Sequence, residues 1–193
     1  SYRFLTPLIM VLTWANMEAQ TSHPVPRLVV NVTIDQLRTD YMEAFSSLFG
    51  AGGFNKVMRD GRSYMDAAYP FSHIDRASAV ACIMTGTVPY DNGIVGEHWM
   101  DRKTLRPMYC VDDATCEGWL TSEKYSPVAL NVSTVTDELK MATGGRALVY
   151  SIAPDADAAI LAAGHAADGA FWIDNASGQC SSTSYYGQYP DWA

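Results

Sequence analysis

Apolar and polar residues follow two different periods along this chain. Positions 27–34 (Arg-Leu-Val-Val-Asn-Val-Thr-Ile) form a β-branched run that stops at Asp35. Such a run reads as a strand buried on both faces, as in a parallel α/β sheet. From 36 to 49 the period becomes helical, with Leu37, Tyr41, Phe45 and Leu48 on one stripe, until Gly50, Gly52 and Gly53 break it. Positions 54–59 predict a second short helix closed by Asp60-Gly61, and 63–68 a strand leading to a turn at Tyr69-Pro70. Asp75 opens a helix of small residues over 76–84, ended by Thr85-Gly86-Thr87. Positions 88–131 read as polar loops with scattered aromatics. A helix over 133–143 stops at Gly144-Gly145, a strand follows over 147–152, and short strands are expected within 165–193. Alternating strands and helices predict an α/β sandwich.

The first twenty positions stand apart. Arg3 precedes an apolar run over 4–14, and Ala15 to Gln20 contains a plausible cleavage point after Ala19. The pattern predicts a signal peptide over 1–19, a spacer over 20–26 and one domain over 27–193. The run is shorter than the roughly 20 residues that span a bilayer, so no stable membrane span is expected after cleavage. A membrane anchor and a buried strand are the competing readings. Export, to a periplasm or outside the cell, permits disulfides. Cys82, Cys110, Cys116 and Cys180 allow three full pairings, among which sequence does not choose. The chain stops at Pro190-Asp191-Trp192-Ala193 with no terminal helix or polar tail, which reads as a cut inside a domain.

Composition is globular, with 48% hydrophobic and 18% charged residues. A formal charge of −8 without a basic cluster argues against a nucleic-acid partner. Two places invite chemistry. Asp35 ends the first predicted strand, where open α/β sheets bind ligands; it reads either as a helix N-cap or as a metal ligand. The helix over 76–84 exposes free N–H groups at its start, a natural phosphate site. Arg76 in its first turn opposes the helix dipole, and reads as an anion clamp or as a solvated surface charge.

Several stretches resemble the alkaline phosphatase superfamily, in particular its exported monomeric bacterial phosphatases and the type I phosphodiesterase/nucleotide pyrophosphatases. They are LVVNVTIDQLRTD at 28–40, GGFNKVMRDGRSY at 52–64, ACIMTGTVPYDNGIVGEHW at 81–99, SPVALNVSTVTDELKMATGG at 126–145 and AAILAAGHAADGAFWIDNASG at 158–178. The resemblance runs from about residue 27 to the end and covers the N-terminal part of the family's domain. It implies an alkaline-phosphatase-like sandwich with a mostly parallel central sheet, incomplete at the C-terminus, around a site for two zinc ions that acts on phosphate esters. Asp35 matches a metal-binding aspartate of the family. The remaining ligands belong to its C-terminal part, and His73, His98 and His165 do not fall at ligand positions.

Other matches carry the wrong residue. The family's Thr or Ser nucleophile falls at Arg76, which has no lone pair to attack phosphorus. A phosphoryl-holding Asn falls at Glu97. A Lys and an Arg that embrace transition-state charge fall at Asp155 and Asp157. Carboxylates there repel a substrate that such cations would stabilise by several kcal/mol. Three readings follow: a family member with hydrolysis lost and a binding or scaffolding role; an active hydrolase using Ser78 as a shifted nucleophile, or a metal hydroxide; and an anion-binding module built on Arg76.

Overall fold

Two helices of mainly small and apolar residues, over 76–85 and 156–163, pack together to make the core of this molecule. The computed structural model of the chain describes residues 26–192. The expected signal peptide, its cleavage point and nearly all of the spacer lie outside the described residues. The chain divides into two units, 1–31 and 32–193. Within the first, residues 26–31 form no helix or strand.

In the second unit, helix α1 spans Thr39–Ala44, a 3-10 turn Ser46–Leu48, α2 Gly53–Asp60, α3 Arg76–Thr85 and the short α4 Pro89–Asn92. Strands β1 (His98–Met100) and β2 (Pro107–Tyr109) form an antiparallel hairpin. Then come β3 (Gly118–Trp119), α5 (Val135–Ala142), β4 (Tyr150–Ile152), α6 (Ala156–Ala163), β5 (Gly169–Ile173), β6 (Cys180–Thr183) and a 3-10 turn Ser184–Tyr186. The larger sheet has the order β3-β6-β5-β4. Strands β4 and β5 are parallel, with Ser151 opposite Ala170, and α6 is their crossover. The other two pairings are antiparallel.

The core gathers Ala77, Val80, Ala81 and Met84 of α3, Ala159, Ile160, Leu161 and Ala163 of α6, and Ile94, Val111, Leu130, Ala170 and Trp172 around them. The Ala-rich faces of α3 and α6 pack on one another, which brings their first turns side by side.

Several expectations need correction. No strand forms over 27–34: Leu28, Val30 and Val32 are 79%, 70% and 74% exposed, whereas a strand of this kind is stabilised only with neighbours on its edges and cover on both faces. The helical stripe of 36–49 breaks into α1 and the 3-10 turn, and 63–68 is not a strand. Helix α6 was not expected, because Ala-Asp-Ala-Ala-Ile-Leu-Ala-Ala has almost no polar face and shows no period. The described sheet is mixed, with a single parallel pair, rather than mostly parallel. All four cysteines are free thiols.

Candidate functional site

Where α3 begins, Asp75 is its N-cap. The Asp75 carboxylate accepts from the Ser78 N–H at 2.9 Å and from the Ser78 hydroxyl at 2.7 Å, while the Asp75 N–H donates to Ser78 Oγ at 3.0 Å. This reciprocal box satisfies donors that the first turn otherwise leaves without partners. Its other oxygen takes the Glu97 N–H at 2.6 Å, tying the lead-in of β1 to the helix start. Burial works against the Asp75 carboxylate, but these bonds outweigh it and hold it below the usual carboxylate range. Ser78 is fully buried and its hydroxyl is committed to the box.

Arg76 is the first residue of α3, and its side chain lies across the first turn of α6. Its Nε donates to both oxygens of Asp157 at 3.1 and 3.0 Å. Its Nη1 stands 3.0 Å from Asp155 Oδ2, and its Nη2 3.0 Å from Asp157 Oδ1 and 3.3 Å from Glu97 Oε1. Asp157 is wholly buried, Arg76 is 24% exposed, and Asp155 and Glu97 are about a third exposed. Three carboxylates therefore surround one guanidinium. Asp155 and Asp157, at the start of α6, suit the positive end of its dipole; Arg76, at the start of α3, does not, and is held by its partners instead.

The cluster's charge reaches its neighbours. Burial disfavours the charged Arg76, but the bonds and charge of Asp157, then Asp155 and Glu97, push its pKa well above the ordinary value. Tyr109 of β2 accepts the Asp157 N–H on its hydroxyl at 3.3 Å, and stacks on His98 with ring centres 4.8 Å apart. Burial first, then the Asp157 charge, pushes the Tyr109 phenol up. The buried Cys110 thiol is raised for the same two reasons.

A cleft of about 570 Å³ opens beside the cluster, lined by Asp35, Arg38, Tyr69, Asp75, Arg76 and Glu97 among others. Asp35 sits exposed in the turn before α1, and its charge adds to burial in raising the Tyr69 phenol. Among the described residues no three His, Cys, Asp or Glu side chains form a group able to hold a metal. The described residues by themselves therefore hold no donor set for a two-zinc site.

Thus the fold joins Arg76, Glu97, Asp155 and Asp157 into one cluster, sets Asp35 on the neighbouring cleft and withdraws Ser78 into the cap. Tyr109 was missed: it lies in a segment that reads as loop, with no periodic signal to single it out.

The solved structure of wild-type alkaline phosphatase PafA matches this chain with a TM-score of 0.82 and 34% identity, over 88% of this chain and 34% of that one. The architecture is thus the alkaline phosphatase fold. The type I phosphodiesterase / nucleotide pyrophosphatase family matches residues 29–192, and the chain belongs to that family. Alkaline phosphatase PhoV of Synechococcus elongatus is 41% identical over 171 residues, 86% of this chain and 31% of that protein. Alkaline phosphatase PafA of Elizabethkingia meningoseptica is 32% identical over 195 residues, 98% of this chain and 36% of that protein. The chain spans about a third of the length of these relatives. A solved PafA variant, also similar to this chain, carries changes at a Thr, an Asn, a Lys and an Arg. The Thr and Asn are 21 positions apart, as are Arg76 and Glu97, and the Lys and Arg two apart, as are Asp155 and Asp157.

Proposed function

We propose that this chain is part of an exported pseudo-phosphatase, a family member that keeps the fold but has lost hydrolysis and serves a binding or scaffolding role. The observation that carries the reading is the Arg76 cluster: the guanidinium at the expected nucleophile position is engaged by carboxylates at the three expected phosphoryl-contact positions. A group that cannot give up an electron pair stands where attack would begin, and negative charge stands where the transferring phosphoryl group would be embraced. The spacing shared with the altered PafA positions supports the register.

The other readings have less support. Ser78 is buried in the capping box, out of reach of a substrate. Arg76 as an anion clamp conflicts with carboxylates at its Nε, Nη1 and Nη2. Export rests on Arg3 and the apolar run over 4–14; among the described residues no helix is long and apolar enough to cross a membrane. The test is zinc-dependent hydrolysis of p-nitrophenyl phosphate and bis(p-nitrophenyl) phosphate by the full-length natural protein. The expected result is no turnover above background; rates well above it for either ester would refute the reading.

A further inference from the structure

The Arg76 substitution is only one member of a set whose charges depend on each other. The guanidinium presents its donors in a rigid fork, and all three of its nitrogens are within 3.3 Å of a carboxylate oxygen. Asp157 grips from the buried side with both oxygens; Asp155 and Glu97 close the sides nearer solvent. An oxyanion arriving here meets an excess of negative charge, and each of the three guanidinium nitrogens already faces a carboxylate. Without Arg76, three carboxylates face one another, so replacing it alone does not produce a site for an anion. Without the carboxylates, a half-buried guanidinium fork is left unengaged, and that fork is the group that grips phosphate with two parallel bonds.

We propose that Asp155 and Asp157 determine the specificity of this site: with Glu97 they hold Arg76 in an ionic latch that shuts out phosphate, and the latch covers a latent oxyanion site. This rests on the pseudo-phosphatase reading and deepens it, assigning the exclusion of phosphate to the carboxylates and not only to the missing nucleophile.

The test is binding of inorganic phosphate to the full-length protein, followed by titration calorimetry and phosphorus NMR. The variants are Asp155→Asn with Asp157→Asn, the same pair with Arg76→Ala added, and Arg76→Thr alone. The first is expected to gain at least about tenfold in phosphate affinity over the natural protein. Adding Arg76→Ala removes the gain, and Arg76→Thr alone shows none. A folded double variant with no gain, or a gain that survives Arg76→Ala, overturns the proposal. Asp157 is buried, so a second pair at partly exposed positions, Glu97→Gln with Asp155→Asn, decides the matter if the first does not fold. A smaller gain that needs Arg76 supports the latch, and none overturns it. Ester hydrolysis by the natural protein ends the pseudo-phosphatase reading whatever the binding data show, whereas a failed latch leaves an inactive natural protein inactive.

Discussion

Arg76 and Asp157 show how a charge is kept inside a protein. Asp157 is wholly buried, and its carboxylate is stabilised by the guanidinium and by the first turn of α6. Removing Arg76 strands the buried Asp157, so Arg76→Ala is expected to cost about 3–5 kcal/mol; Asp157→Ala is expected to cost less, because Arg76 keeps Asp155 and Glu97. Removing both costs less than the sum, with a coupling of up to about 3 kcal/mol in a denaturant double-mutant cycle. A coupling near zero would mean that the pair is incidental to the fold. Asp113 is a second informative residue. Burial opposes its charge, but the Ser126 and Thr115 hydroxyls and the Thr115 N–H hold its pKa down to about 2, from 3.8. A carboxylate lowered on folding stabilises the fold in its charged form. That contribution is complete above about pH 4 and is lost as pH falls towards 2. Unfolding midpoints across pH 2–5 are expected to drop in this window, and Asp113→Asn to flatten the drop.

At the scale of elements, α6 depends on what meets its ends. Its C-terminal carbonyls are covered by two hydroxyls: Thr136 donates to the Ala163 carbonyl at 2.8 Å, and the half-buried Tyr186 to the Gly164 carbonyl at 2.7 Å. Tyr186→Phe leaves an acceptor unsatisfied and is expected to cost about 1–3 kcal/mol in chemical denaturation. Gly164 has φ +76, and a Cβ there would run into the Thr134 hydroxyl and come within 2.7 Å of Asp137 Oδ2. Both groups belong to the capping box of α5, where Asp137 also accepts the His165 and Ala166 N–H groups at 2.8 and 2.7 Å. Gly164→Ala is therefore expected to destabilise by about 1–3 kcal/mol, with a matching fall in melting temperature. His165, read from the sequence as outside the ligand set, serves here through its backbone N–H.

Across the whole chain, stability is uneven. Helix α3 buries half of its residues and α6 most of them, whereas α1 and α2 bury none. Native-state hydrogen exchange is expected to be slowest in α3, α6 and β5, and fast over residues 39–60. Equal protection in the two regions would contradict this picture.

The legible part of the sequence was local chemistry and order. Asp75 as a cap, Gly86 as a stop and the helix over 133–143 follow from short-range rules, and the quoted stretches placed the chain in its family; the loops expected over 88–131 instead hold α4 and strands β1 to β3. The illegible part was whatever depends on neighbours. The β-branched run at 27–34 has strand composition, but a strand exists only through its pairing. Helix α6 has no polar face for a period to reveal, because packing surrounds it. The family resemblance also led the sequence reading to expect other residues at Arg76, Glu97, Asp155 and Asp157, but as four separate expectations. Only the packing of α3 on α6, with the Glu97 N–H bound to Asp75, made them one ionic unit. Residues 21 to 81 positions apart come within hydrogen-bonding reach through tertiary contacts that no local pattern encodes.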